Sequence, residues 1–191
     1  GTDWFRADFH LHTKEDRQFD NPPGDIRFEE AYVERLKSEN ISLGLITNHN
    51  KFIQDEFKRL RKQARKNEIL LLPGVELGVQ GGSGGIHMLV CFDPVSWIDN
   101  KENCDFINRF LDTAFEQVPN RESEDTNCQW TLSQVLKKLD EHRGNGRDSF
   151  VIMAHVDESK GVLKELGAGL KAQVDDVFKK SVLGFQKVRS R

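Results

Sequence analysis

The chain has 191 residues, of which 37% are hydrophobic and 31% charged, and its formal net charge is −3. This length predicts one domain with one substantial core, and the slightly acidic balance argues against general electrostatic affinity for nucleic acid. The three cysteines form no Cys-x-x-Cys pair, which argues against a disulfide framework and a thiolate zinc site.

The sequence contains no secretory signal, lipidation motif or long apolar run. This pattern predicts a cytoplasmic protein without a membrane partner. Because there is no initiator Met and the chain stops just after an apolar run, we expect residues 1–191 to be a single domain cut from a longer protein.

Residues 5–13 predict the first strand, in which Phe9 and Leu11 alternate with His10 and His12. A period of two points both imidazoles to one face, where a single cation is within reach of both. The plain alternative is an edge strand with two solvated histidines. Residues 14–27 are charged and rich in turn formers, and predict a surface loop leaving the carboxyl end of this strand.

Helices and strands then alternate. Residues 29–39 predict a helix, 41–47 an apolar strand that runs into His49, 53–66 a second helix, and 69–72 a short buried strand that Glu76 follows. Lys and Arg residues cover the second helix between positions 58 and 66. Such a surface is usually solvated, and tracking of phosphates is the alternative.

Residues 81–85 read Gly-Gly-Ser-Gly-Gly between two apolar stretches, which predicts a hairpin whose returning strand, 86–92, carries His87 at its start. The turn is not a P-loop, because the Lys-Ser/Thr that would follow is missing. Beyond it we predict helices at 104–118, 131–142 and 174–180, a mobile polar insertion at 119–130, and strands at 149–154 and 182–185. The alternation predicts an α/β fold with parallel strands and right-handed crossovers.

Five of the six histidines stand at the predicted ends or starts of strands: His10, His12, His49, His87 and His155. His142 is the exception, at the end of a charged helix, where it would cap carbonyls or face solvent. In parallel α/β folds ligands collect at the carboxyl ends of strands, and imidazoles with carboxylates suit Zn, Mn or Fe. A shared carboxylate such as Glu76 can bridge two ions about 3.5–4 Å apart. The sequence therefore predicts a metal centre.

These motifs resemble, in order, those of the PHP (polymerase and histidinol phosphatase) domain: Asp8-Phe9-His10-Leu11-His12-Thr13, Thr47-Asn48-His49-Asn50, Pro73-Gly74-Val75-Glu76, His87 and Ala154-His155. The resemblance spans residues 3–157. It is nearest to the N-terminal PHP domains of TrlF-like AAA/SMC-type ATPases, on stretches such as 46–51, 72–77 and 183–189. It implies a distorted (β/α)7 barrel, incomplete at the C-terminus of this fragment, with two or three metal ions and phosphoesterase or nuclease activity.

By this resemblance, His10 and His12 hold a first metal, and Glu76 bridges it to a second metal held by His87 and His155. His49 would hold a third metal together with an acid from the loop after the first strand. Asp16 is the expected acid, with Asp20 as the fallback. The resemblance thus makes Glu76, His49 and His155 the expected catalytic residues.

The expected contacts to substrate phosphate are Lys51, Lys187 and Arg189. The sequence differs from the family pattern at three points. Asn48 replaces the usual Asp before His49, Val156 replaces the usual Pro after His155, and no Asp-x-His motif follows before the end of the sequence. The last of these removes ligands from two of the metals.

The leading hypothesis is a metal-dependent nuclease that hydrolyses phosphodiesters of DNA or RNA, with the metals activating a water. The resemblance also implies an ATPase domain, either in the same chain or as a partner protein, and a biological role such as antiphage defence. A phosphomonoesterase acting on a small metabolite is the first alternative, distinguished by a closed pocket in place of a basic groove. A degenerate metal-binding module that serves as a docking or regulatory platform is the second, and homo-oligomerisation is left open.

Overall fold

A computed structural model describes residues 4–19 and 27–188 of the chain. Within these residues one six-stranded sheet has the spatial order β1-β2-β3-β4-β5-β6, the same as the order along the chain. The strands are β1 (Arg6–Leu11), β2 (Ile41–Ile46), β3 (Leu70–Val79), β4 (Ile86–Phe92), β5 (Ser149–Met153) and β6 (Val182–Phe185). The helices are α1 (Phe28–Ser38), α2 (Gln54–Arg65), α3 (Pro94–Trp97), α4 (Phe106–Ala114), α5 (Leu132–Gly144), α6 (Val162–Leu166), α7 (Leu170–Gln173) and α8 (Asp176–Ser181).

The sheet is mixed, so the parallel pairing predicted from the helix–strand alternation holds for three of the five strand pairs. β1 and β2, β2 and β3, and β5 and β6 pair in parallel. β3 and β4, and β4 and β5, pair antiparallel. The predicted hairpin at residues 81–85 is confirmed, and it causes the first reversal because a short turn can join only antiparallel strands. Glu165 accepts hydrogen bonds from the Ser83 and Gly84 N–H groups of this turn, at 3.0 and 3.1 Å.

The third strand is longer than predicted and contains Glu76, which was expected to follow it. Residues 70–73 of β3 pair with β2, and residues 74–79 pair with β4. Pro73 is tolerated because it lies where the strand exchanges one partner for the other. A Cβ atom at Gly74 would lie 2.7 Å from Val90 O and 3.0 Å from Ile46 O. Glycine therefore lets strands approach closely from both sides.

The predicted helices form, with one clear difference in length. The helix expected at 104–118 is confined to α4, Phe106–Ala114. The Asp105 side chain caps its start by accepting from the N–H of Asn108 at 2.9 Å. The helix ends because the Ala114 carbonyl accepts from the N–H of Gln129 at 3.0 Å, a bond to the segment that leads into α5. That longer helix begins at a capping box of Thr131 and Gln134.

The two faces of the sheet have different cores. The helices pack on one face over the large core, which includes Leu60, Trp97 and Phe110. Leu45, Leu89, Cys91 and Ala154 are buried on the opposite face, with Phe9, Leu72, Phe150 and Ile152 packed against them. His142 does not cap carbonyls or face solvent, as the sequence suggested. It packs against Trp97 and Phe110, with ring centroids 4.7 and 5.9 Å away.

The architecture is a curled, partial barrel of mixed α/β type. A hydrogen bond between His10 and Gln186 joins β1 to the segment that follows β6, although these strands lie at opposite edges of the sheet order. The seven-stranded barrel implied by the resemblance is not confirmed, since residues 4–19 and 27–188 contain six strands. In the same residues, no helix is long and apolar enough to cross a membrane.

Candidate metal centre

The parallel strands β1 and β2 end side by side and bring together three of the predicted histidines. His10 and His12 lie at the end of β1, with ring centroids 5.0 Å apart. His49 follows β2 and stacks on His12 at a centroid distance of 4.8 Å. Backbone hydrogen bonds fix this segment beside β3, since Glu76 N–H donates to Asn48 O and Asn50 N–H donates to Glu76 O. We call His10, His12 and His49 the parallel half of the site.

His87 and His155 reach the same edge through the two antiparallel pairings. Because β4 runs against β3, its beginning lies beside the end of β3, and His87 pairs with Gly78. Because β5 runs against β4, its end lies beside His87. His155 follows β5, and the two imidazole centroids are 5.2 Å apart. We call His87 and His155 the antiparallel half.

Glu76 lies between the halves with 1% of its side chain exposed. Its Oε2 faces the parallel half, at 2.6 Å from His10 Nε2, 3.2 Å from His49 Nε2 and 3.4 Å from His12 Nε2. Its Oε1 faces the antiparallel half, at 2.9 Å from His87 Nδ1 and 3.1 Å from His155 Nε2. Each carboxylate oxygen thus has its own group of imidazole nitrogens, as a bridging ligand would.

The donor set fits divalent metal ions. A carboxylate offers about four lone-pair sites, whereas five imidazole nitrogens converge on Glu76. Three of these nitrogens share Oε2, which exceeds the hydrogen-bonding capacity of one oxygen. Ligand atoms of His10, His12 and Glu76, and likewise of His49, Glu76 and His87, lie within 4.8 Å of one another. Such imidazole and carboxylate sets suit Zn, Mn or Fe.

Two oxygen atoms on the far side from Glu76 accept hydrogen bonds from His87 and His49, and so fix which ring nitrogen faces Glu76. His87 Nε2 is 3.1 Å from the Glu124 carbonyl oxygen. A carbonyl can only accept, so Nε2 carries the proton and Nδ1 keeps its lone pair toward Glu76. His49 Nδ1 lies 3.1 Å from Asp16 Oδ2, which leaves Nε2 facing Glu76 in the same way. A metal-ligating histidine commonly donates its second N–H to an outer oxygen in this manner.

Asp16, the first choice for the loop acid that the resemblance implies, is buried beside the parallel half. Its carboxylate accepts from the N–H groups of His49 and Gln18 at 2.6 and 2.9 Å. It also lies 3.0 Å from His12 Nδ1, but this contact is misaligned, because His12 Nδ1 has no hydrogen-bond partner among the described residues. His12, Asp16 and His49 form a further group able to hold an ion. Asp20, the fallback, lies outside the described residues.

The charges of the site stabilise one another. Burial opposes ionisation of Glu76, but hydrogen bonds from His10, His155 and His87 in their protonated forms outweigh it and hold the pKa of Glu76 well below the usual range. Burial likewise opposes ionisation of Asp16, and the neighbouring His12 and His49 imidazoles lower its pKa below the usual range. Burial acts to lower the pKa of His10 and of His49, yet the hydrogen bonds with Glu76 and Asp16, respectively, raise it. The two carboxylates are therefore ionised at neutral pH, as metal ligation would require.

Asn48, the departure from the family pattern, points away from the imidazoles. Its Oδ1 accepts from the Thr13 N–H and its Nδ2 donates to Thr13 Oγ1, both at 2.8 Å. Thr13 Oγ1 in turn donates to Glu56 Oε2 at 2.7 Å. Glu56 is 2% exposed, and burial raises its pKa. An amide at position 48 thus avoids placing a second carboxylate close to buried Glu56.

The segment 119–130 forms one wall of the site. Asn50 Nδ2 donates to Arg121 O and Thr126 O at 3.0 and 2.8 Å. The Glu124 carbonyl accepts from His87 and from Lys160 Nζ, the latter at 2.6 Å. The predicted mobility of this segment stays a prediction, and the contacts show that it supplies an outer partner to a histidine of the site.

A cleft of about 340 Å³ opens over the imidazoles. Besides Glu76 and the five histidines it is lined by Gln18, Glu124, Asp125, Ser159 and Lys160. Lys160 is the cation of this lining, and its Nζ lies 2.7 Å from Asp125 Oδ1. The sequence reasoning assigned no role to Lys160, Glu124 or Gln186, although Gln186 lies in the stretch 183–189 that carries part of the resemblance.

Two of the three predicted phosphate contacts, Lys51 and Lys187, are not part of the cleft lining. The Nζ of Lys51 is 2.9 Å from Glu122 Oε2. Lys187 is mostly exposed, with its Nζ 3.7 Å from Asp157 Oδ2. Arg189 lies outside the described residues. Roles in substrate binding remain predictions for these residues, as do the catalytic roles of Glu76, His49 and His155.

No protein-family model matches the chain, and no curated protein matches it. Two solved structures are similar to it. A Bifidobacterium adolescentis protein assigned as a metal-dependent phosphoesterase superposes with a TM-score of 0.56 at 14% identity, over 94% of this chain and 76% of that one. An amidohydrolase from Chromobacterium violaceum, solved with sulfate and no metal, gives 0.50 at 15% identity, over 94% and 75%. The chain therefore shares the fold of these two proteins.

Proposed function

We propose that this protein is a metal-dependent phosphoesterase of the PHP type. The observation that carries the proposal is the position of Glu76, whose two oxygens each face a separate group of imidazole nitrogens. Two ions bridged by a carboxylate are the arrangement that clamps both oxygens of an in-line phosphoryl displacement. The assignment of the Bifidobacterium adolescentis protein as a metal-dependent phosphoesterase supports the same reaction class.

Residues of this chain would hold the metal ions, orient the histidine rings and set the charge of the site. Divalent ions held there would lower the pKa of a coordinated water and offset charge on the phosphoryl oxygens. Glu76 supplies the shared negative charge, and Asp16 orients His49. Lys160 stands at the rim with 15% of its side chain exposed. Its ammonium group can exchange Asp125 for a substrate phosphate oxygen, which places the phosphate over the imidazoles.

In its finer form, the proposal is a nuclease for DNA or RNA phosphodiesters, coupled to an ATPase outside this sequence. The motif resemblance supports this form. A basic groove beside the site would support it further, but Lys51 is paired with Glu122 and the rim carries Glu124 and Asp125. The strong salt dependence of binding to a nucleic-acid backbone requires several unpaired cations.

A phosphomonoester of a small metabolite is the second candidate substrate. It is favoured by a cleft of about 340 Å³, a size suited to a small ligand, with one lysine in its lining. One ammonium group and the metals would match one terminal phosphate. The two candidates share the metal centre and differ in how far the substrate extends beyond it.

The test is elemental analysis of the purified chain beside a Mn²⁺-supplemented assay. The substrates are single- and double-stranded DNA, RNA, p-nitrophenyl phosphate and bis(p-nitrophenyl) phosphate. We expect two or more metals per chain and hydrolysis that chelation abolishes, and the preferred substrate separates nuclease from monoesterase. One metal or none, with no turnover of any ester, would refute the enzyme and leave the docking or regulatory platform.

Lys160→Met tests the cleft itself. We expect KM for the preferred phosphoester to rise about tenfold, because a charge-assisted hydrogen bond to phosphate is worth about 1.5–3 kcal/mol. Metal content should stay unchanged, since Lys160 contacts no predicted ligand through its ammonium group. An unchanged KM would remove Lys160 from substrate binding.

A further inference from the structure

The side chain of Gln186 contacts both halves of the metal centre. Its Oε1 lies 2.9 Å from Nδ1 of His10 and accepts a hydrogen bond from the backbone N–H of His155 at 3.2 Å. The backbone of Gln186 is itself fixed: its N–H donates to Met153 O at 2.8 Å, and its carbonyl accepts from the Val156 N–H at 2.9 Å. The sheet therefore sets the position of this amide.

The bond with His155 decides which end of the amide faces His10. A backbone N–H can only donate, so the atom that it meets must be the amide oxygen. The same oxygen faces His10, whose Nδ1 must therefore carry the ring proton. In the neutral ring, the form that can bind a metal ion, the lone pair is then on His10 Nε2, which lies 2.6 Å from Glu76 Oε2.

We propose that Gln186 is a positioning residue for the metal centre, acting on one ligand of each half through a single oxygen atom. It fixes the tautomer and ring direction of His10. It also holds the backbone of His155, which has a φ of +26°, a conformation that costs energy for any residue except glycine. This inference rests on the proposed metal centre and deepens it, and Gln186 itself touches no substrate.

The experiment compares Gln186→Met with Gln186→Glu. Met has a similar size but offers no comparable acceptor, whereas the Glu carboxylate keeps an oxygen for both hydrogen bonds. Long-range ¹H–¹⁵N correlation spectra of the full chain, loaded with Zn²⁺ and after chelation, identify the protonated nitrogen of His10. Competition with a chelator measures metal affinity in the same samples. Loss of an outer partner of a metal ligand typically costs 10–100-fold in affinity.

We expect His10 to carry its proton on Nδ1 in the wild type and in Gln186→Glu. In Gln186→Met we expect a mixture of tautomers and metal release at 10–100-fold lower chelator concentration. An unchanged tautomer and affinity in Gln186→Met would overturn the proposal. If Gln186→Met does not fold, the wild-type spectrum decides, because a His10 Nδ1 without a proton after chelation contradicts the proposal. The tautomer is read without any substrate, so an inactive protein would refute the proposed function and leave this inference standing.

Discussion

The two halves of the metal centre reach the same edge of the sheet by different routes. His10, His12 and His49 follow parallel strands, whose ends coincide because the strands run in one direction. His87 stands at the beginning of a strand and His155 after the end of the next, and two reversals bring them together. The parallel half places three imidazoles on one oxygen of Glu76, and the antiparallel half places two on the other. The halves should therefore differ in how strongly they hold metal.

Removing the carboxylate that both halves share should have the largest effect. Glu76→Gln keeps the size of the side chain but removes its charge and one ligand oxygen. Metal ions supply several kcal/mol of transition-state stabilisation, so hydrolysis should fall by about 10³-fold or more. Elemental analysis measures the metal content, and the ester assay measures the loss of hydrolysis. The matched control is Glu116→Gln on the surface, and wild-type rates in Glu76→Gln would remove Glu76 from the mechanism.

Single histidine variants should then separate the halves. His87→Ala leaves the antiparallel half with one imidazole, whereas His10→Ala leaves the parallel half with two. We expect His87→Ala to lose about one metal ion per chain on dialysis, and His10→Ala to retain both ions with weaker affinity, because a bridged site needs ligands on each side. Metal content against dialysis time is the measurement. Loss of both ions in both variants would show that the halves act as one unit.

The segment 119–130 adds an outer partner to the antiparallel half through the Glu124 carbonyl. Asn50→Ala removes the bonds that Asn50 makes to Arg121 O and Thr126 O, and leaves the Gly78 N–H without its Asn50 Oδ1 acceptor at 2.8 Å. We expect a loss of about 1–3 kcal/mol in the free energy of unfolding and faster amide hydrogen exchange across 120–127. Unchanged exchange in this segment would contradict its anchoring by Asn50.

The smallest effect is expected from Glu56, the buried carboxyl behind the parallel half. Burial raises its pKa in the folded state above the ordinary value of 4.5, so its ionisation lowers stability at neutral pH. This cost is present above the folded-state pKa and disappears as the pH falls toward 4.5. Glu56→Gln should therefore raise the free energy of unfolding by on the order of 1 kcal/mol at pH 8. Denaturant curves at pH 8 and pH 4.5 measure the difference, and an equal shift at both pH values would exclude ionisation as the cause.

The sequence predicted most of the side chains that the structure brings together at the candidate site, but not the strand directions that bring them there. His10 and His12 are visible because strand alternation places them on one face, and His49 and His155 because they follow apolar stretches. Glu76 was assigned to the site yet placed beyond its strand, since Pro73 and Gly74 normally end a strand and here mark an exchange of partners. The helix–strand alternation predicted parallel pairing, and the hairpin predicted one reversal, but no sequence pattern marked the second reversal between β4 and β5.

The sequence did not predict the residues that contact the site from outside its ring of histidines. The Glu124 carbonyl has no sequence signature, because every residue carries one. Gln186 lies in a stretch that the resemblance singled out, but its contact with His10 depends on the curl of the whole sheet. Lys160 reaches the cleft through a local turn in which it adopts a φ of +61°. These positions follow from tertiary structure, which single-sequence patterns do not encode.

The bond between His10 and Gln186 joins groups 176 positions apart. During translation, at about 5–20 residues per second, His10 leaves the ribosome many seconds before Gln186 exists. Glu76, His87 and His155 also emerge in turn, each completing a further part of the centre. A nascent chain that has not yet exposed Gln186 therefore lacks a fully oriented candidate centre, and under the proposed function hydrolysis begins only after almost the whole of residues 1–191 has emerged and folded.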